Sequence, residues 1–182
     1  MHVRLSTCLG MPIRAEDTEE VIGVVNGILL HPDRGTVEGF FLRVPGFFSS
    51  SSLFLSSFDI AHFGRVITVR DHDRIAPAED FLRVRPLLED PRSILGQRIQ
   101  TESGMSMGRC RDVQFETGSL RFTWLFPKRF FRWRDPIAAR EIIEVRPAAI
   151  IVRDPPAAVS EKGAEPVQPK LVPLLPEVPG NA

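Results

Sequence analysis

Ile22-Gly23-Val24-Val25-Asn26-Gly27-Ile28-Leu29-Leu30 runs into His31-Pro32-Asp33-Arg34-Gly35, and the reading of the whole chain turns on this stretch. Its apolar run is rich in β-branched residues, and proline and aspartate ahead of a glycine supply the fixed φ and the positive φ of a reversal. It therefore reads as a strand that folds back into a second apolar run, Val37–Val44. The same order recurs later in the chain. Met107-Gly108-Arg109-Cys110-Arg111-Asp112-Val113-Gln114-Phe115 passes through the shorter turn Glu116-Thr117-Gly118 into Leu120–Phe126. Outward from these hairpins, Leu9-Gly10 and Leu95-Gly96 each precede a short extended stretch, Pro12-Ile13 and Arg98-Ile99. Polar turns follow at Ala15–Glu20 and Thr101–Gly104. The closing strings are nearly the same, Val66-Ile67-Thr68-Val69-Arg70-Asp71 and Ala149-Ile150-Ile151-Val152-Arg153-Asp154. From Gly35 to Val69 and from Gly118 to Val152 the spacing is 34 residues in both copies. Matching order with matching spacing points to one module used twice.

Short runs of Val, Ile and Phe split by Gly/Pro/Asp turns are antiparallel strands, and no segment keeps a 3.6-residue period over three turns. Short helical pieces fit only at Pro77–Phe81 and Pro136–Arg140. So few short strands cannot shield an open sheet, whereas curling into a small barrel removes the edges. Gly23, Gly39 and Gly108 fit the bends a small barrel needs. The expected fold is all-β: a first barrel over residues 1–85, a second over 86–154, and a tail over 155–182. That tail holds seven prolines in 28 residues and reads as disordered, sampling polyproline II. Its apolar end, Leu171–Pro176, is either a docking segment or plain solvated chain.

Cys8–Asp71 and Ser93–Asp154 resemble the PRC-barrel family, found in the H subunit of the photosynthetic reaction centre and at the C-terminus of the ribosome maturation factor. The resemblance rests on Leu9-Gly10, Ile22-Gly23-Val24-Val25, His31–Gly35 and the late turn Phe58-Asp59-Ile60. In the second copy it rests on Ile94-Leu95-Gly96-Gln97-Arg98-Ile99 and Met107–Val113. The aspartate of the family pattern is Gly27 in the first copy and is retained as Asp112 in the second. Both connections between third and fourth strands depart from the pattern. The resemblance implies a non-catalytic module that binds other macromolecules.

The net charge is zero, but residues 1–90 carry 9 Arg/Lys against 13 Asp/Glu while residues 91–154 carry 12 against 7. Such polarity orients partners. The first residues lack a basic region followed by an apolar stretch, so no secretion signal is expected. No window approaches the roughly 20 apolar residues of a spanning helix. Cys8 and Cys110 are far apart and read as buried free thiols of a reducing, cytoplasmic compartment.

Two segments are candidate partner-binding sites. In Phe126–Arg134 four cations, Lys128, Arg129, Arg132 and Arg134, interleave with aromatics that include Phe131 and Trp133. Cations neutralise phosphates and aromatic faces stack on unpaired bases. The other reading, adopted here as the expectation, is a hairpin whose Phe and Trp alternate into the barrel, although alternation fails at Phe130-Phe131. The second segment is Pro45–Leu55, where Phe47-Phe48 opens a serine-rich loop as an apolar patch, unless the loop folds over a barrel end or the two barrels pack there. Catalysis has no support: His31, His62 and His72 are isolated, and Asp71-His72-Asp73 would alternate faces on a strand. No cofactor, metal or small-molecule substrate is expected. The expected partner is a protein, engaged through exposed aromatics of the two barrels, Phe47-Phe48 among them, with the tail helping; RNA or the ribosome, through residues 128–134, is the alternative. Peripheral membrane association follows only from the reaction-centre analogy.

Overall fold

In the computed structural model, which describes residues 1–44 and 53–155, the alternating runs are strands in two all-β sheets. The chain starts with β1 (His2–Arg4) and a one-turn helix, α1 (Leu5–Cys8). It then lays down β2 (Pro12–Ala15), β3 (Val21–His31), β4 (Thr36–Arg43), β5 (Leu53–Ser56), β6 (Ile60–Phe63), β7 (Ile67–Val69) and β8 (Ile75–Pro77). These form one sheet in the order β6-β7-β2-β3-β4-β5-β8. A second short helix, α2 (Arg85–Leu88), leads to the other sheet. Its strands are β9 (Arg98–Thr101), β10 (Ser106–Glu116), β11 (Phe122–Arg129), β12 (Arg132–Trp133), β13 (Ile137–Ala138), β14 (Ile142–Val145) and β15 (Ala149–Val152). The order here is β12-β11-β10-β9-β15-β14, with β13 also on β11. The helical pieces expected near residues 77–81 and 136–140 are single 3-10 turns, Ala78–Asp80 and Ala139–Glu141.

The two sheets share a pairing pattern, register for register. Val25 faces Leu42, Gly27 faces Phe41 and Ile28 faces Phe40 across β3–β4. Cys110 faces Pro127, Asp112 faces Phe126 and Val113 faces Leu125 across β10–β11. The same two bulges interrupt both ladders, and each bulge sharpens the local bend that curls the sheet. In each unit the closing strand runs parallel to the opening one, β7 on β2 and β15 on β9. The opening glycines adopt the left-handed region, Gly10 at φ +83° and Gly96 at φ +79°. There their amides reach Val25 O at 2.8 Å and Cys110 O at 2.7 Å.

One equivalence read from the sequence is corrected. The second turn is not shorter. Gly35 N donates to His31 O at 3.0 Å and Leu120 N to Glu116 O at 2.8 Å, so both turns span five residues. Leu120, at φ 54°, occupies the place of Gly35, and Gly118 does not. The shared spacing of 34 residues thus joins non-equivalent positions. A leucine is held in this conformation because its carbonyl accepts from Val37 N at 2.8 Å across the junction of the two units.

That junction is symmetric. Thr36 bridges Arg121, its own equivalent. Val37 N donates to Leu120 O, and Phe122 N donates to Gly35 O at 2.9 Å, so equivalent groups are exchanged as across a two-fold axis. The chain also crosses over: β1 pairs with β10, His2 opposite Glu116 and Arg4 opposite Gln114. A single apolar cluster joins Ile13, Phe40, Leu55 and Ile67 to Ile99, Phe115, Leu125 and Ile150. At its centre the rings of Phe40, Phe63 and Phe115 lie 5.7, 5.8 and 6.3 Å apart, tilted or edge-on. Burying the Phe40 and Phe115 rings in full stabilises by about 1.5–3 kcal/mol each. Neither sheet closes on itself, as the strand orders end at β6 and β8 and at β12 and β14. Unit against unit does the covering that full closure was expected to do.

Candidate functional site

β11 outruns its neighbour. Its last partner on β10 is Arg109 opposite Lys128, and beyond it the chain turns back alone into β12, with Lys128 opposite Trp133 and Arg129 opposite Arg132. Arg134 N extends this ladder to Pro127 O at 3.0 Å. Phe130 and Phe131 are left as a two-residue tip. Tight hairpin tips need positive φ, normally supplied by glycine or asparagine, yet here Phe130 sits at φ 53°. Phe130 is 86% exposed, Phe131 94% and Trp133 55%. The expectation that these aromatics alternate into the barrel is overturned, because past Arg129 no sheet lies behind the strand. Phe126 is buried, but outside the central cluster, with the Arg4 guanidinium 3.6 Å from its ring centroid.

Lys128, Arg129, Arg132 and Arg134 enter no ion pair among the described residues. Two lie over the hairpin's own rings, Lys128 Nζ at 5.3 Å from Trp133 and the Arg129 guanidinium at 5.9 Å from Phe130. Cation–π contacts of this length keep the charges beside the aromatics. The hairpin therefore presents apolar rings inside a ring of unneutralised cations.

Beside it lies a shallow hollow of about 390 Å³, lined by Arg4, Gln114, Trp124, Phe126 and Pro136. Sequence reading passed over Trp124 and Arg4. The bulge between Phe122 and Trp124 shifts the alternation, and the position of Arg4 depends on β1 joining the other sheet. Phe130 was read as one of the segment's aromatics and, with Phe131, as a break in alternation. Its signal was the doublet itself, an apolar pair where a turn residue belongs.

Phe47 and Phe48 lie outside the described residues. His31 caps its turn, Nδ1 accepting from Asp33 N and Arg34 N at 3.3 and 3.4 Å. Asp71-His72-Asp73 is not strand: His72–Arg74 is a 3-10 turn that Asp71 caps, accepting from Asp73 N at 2.9 Å. Among the described residues no group of three His, Cys, Asp or Glu side chains is placed to hold a metal ion, and no helix is long and apolar enough to cross a membrane. Cys8 and Cys110 are free and buried. Burial, with Asp112 adding, pushes both thiols up to about 12, away from the thiolate that nucleophilic chemistry uses.

The family model of the PRC-barrel domain matches residues 1–77. No curated protein matches the chain.

Proposed function

We propose that this chain, whose residues 1–77 match the PRC-barrel domain, is a non-catalytic adaptor built of two copies of that module which captures a protein partner through the β11–β12 hairpin. One observation carries this reading: Phe130 and Phe131 are almost wholly exposed on a tip whose backbone conformation disfavours phenylalanine. Strain and exposed apolar area together cost stability, and the exposed area is recovered when the rings enter an apolar pocket. Lys128, Arg129, Arg132 and Arg134 would form the polar rim, selecting a partner with carboxylates around that pocket.

RNA is the second reading, favoured by those four cations. Against it, Lys128 and Arg129 already lie over the faces of Trp133 and Phe130, faces that a stacked base would need. The test uses the tagged full chain and its F130S/F131S variant, each incubated with native cell extract in nuclease-treated and untreated halves. Partners that resist nuclease and vanish with the variant are expected. Partners retained by the variant, or lost to nuclease, would remove the protein reading.

A further inference from the structure

The junction of the two units is symmetric in backbone but not in charge. On one side a groove of about 540 Å³ opens between the first turn, the start of β11 and the segment from the 3-10 turn Ala139–Glu141 into β14. Arg34, Arg121 and Arg140 all line it. At the equivalent positions across the pseudo-two-fold stand Thr36, Ser119 and Phe58, all uncharged and already engaged. Ser119 Oγ donates to Glu116 at 2.5 Å, Thr36 Oγ1 donates to Glu38 at 2.8 Å, and the Phe58 ring lies 4.0 Å from the Arg83 guanidinium. The fold thus accepts neutral residues at all three places, and the arginines are a property of this groove.

The side chains of Arg34 and Arg121 have no ion pair or hydrogen bond among the described residues. Among the described residues Arg140 meets only its neighbour Glu141, at 3.1 Å, and that carboxylate also faces Arg153 at 3.9 Å. Two carboxylates line the groove, and both are engaged: Asp33 takes Arg92 at 2.6 and 2.9 Å, a cation it shares with Asp90, and Glu144 takes Arg146. The remaining wall is apolar, with Phe122 and Val145 buried and Ile143 45% exposed. Positive charge in excess beside an apolar wall, in a hollow of ligand size, is the composition of a site for an anion with an organic body.

We propose that this groove binds a small organic phosphate, its phosphate held by Arg34, Arg121 and Arg140 and its organic part laid on Phe122 and Ile143. The ligand is bound, not turned over, and the proposal is independent of the hairpin. Because the groove exists only in the folded chain, binding also raises its melting temperature.

Calorimetric titration of the full chain with adenosine monophosphate and with inorganic phosphate tests it. The comparison variant is R34S/R121T, which installs the residues the other side already carries and so keeps the fold. Saturable binding of the nucleotide is expected, tighter than that of inorganic phosphate. It should weaken at least about tenfold in the variant, as loss of two charge-assisted contacts requires, with the unliganded melting temperature unchanged. Absence of saturable binding at millimolar concentration, or equal affinity in the variant, would overturn the site. Inorganic phosphate bound as tightly as the nucleotide would overturn the organic part of the assignment.

Discussion

Asp112 accepts from Ser6 N at 3.1 Å, from Ser6 Oγ at 2.6 Å and from Val113 N at 2.9 Å, and it is only 3% exposed. A buried carboxylate so engaged pins α1 of the first unit to β10 of the second. Asp112→Ala strands the Ser6 donors and should lower unfolding stability by about 2 kcal/mol. Asp112→Asn, which keeps an acceptor, should lower it by less; urea titration of both variants reads the difference. That this residue matters was visible in the sequence, since it stands where the family pattern has an aspartate. Its partner was not visible, because Ser6 is 106 residues away and no local pattern encodes a contact of that range. Its counterpart in the other unit is Gly27, whose added Cβ would come within 3.4 Å of the Phe41 ring. The same backbone position thus holds a polar anchor in one copy and, in the other, a glycine against an aromatic ring.

The long central strands of each sheet were legible as elements, because β3, β4, β10 and β11 combine apolar runs with turn chemistry between them. β12 was read as a hairpin arm but on the wrong side of the barrel wall. Alternation predicts burial only where a sheet continues behind the strand, and sequence does not say where a neighbour ends. The tip of that hairpin sets stability against binding. Phe130→Asn places a residue at ease in the left-handed region on a position that contributes no burial, so it should stabilise the chain by about 1 kcal/mol while weakening partner capture. Thermal denaturation alongside capture separates the two effects. A variant that loses stability would show that the phenyl ring packs against the body of the protein.

Across the whole molecule, the like order of strands and turns in the two sheets could be read from the sequence, but their shared 34-residue spacing misled, and the way the sheets join was not visible. Backbone groups that meet at Thr36 and Arg121 carry no side-chain signature, and the crossing of β1 depends on three residues with little apolar content. With one cluster running through both units, calorimetry should give a single transition whose calorimetric and van't Hoff enthalpies agree. Two resolved transitions would mean that the shared cluster does not couple the units. The crossing of β1 also bears on the order in which the molecule is assembled during synthesis. His2–Arg4 are translated more than a hundred residues before their seat on Gln114–Glu116. The first unit must therefore wait with Phe40 and Phe63 uncovered until Phe115 arrives. A pause in translation between the two copies would lengthen that interval, and with it the time in which a nascent chain can pair with a neighbouring one.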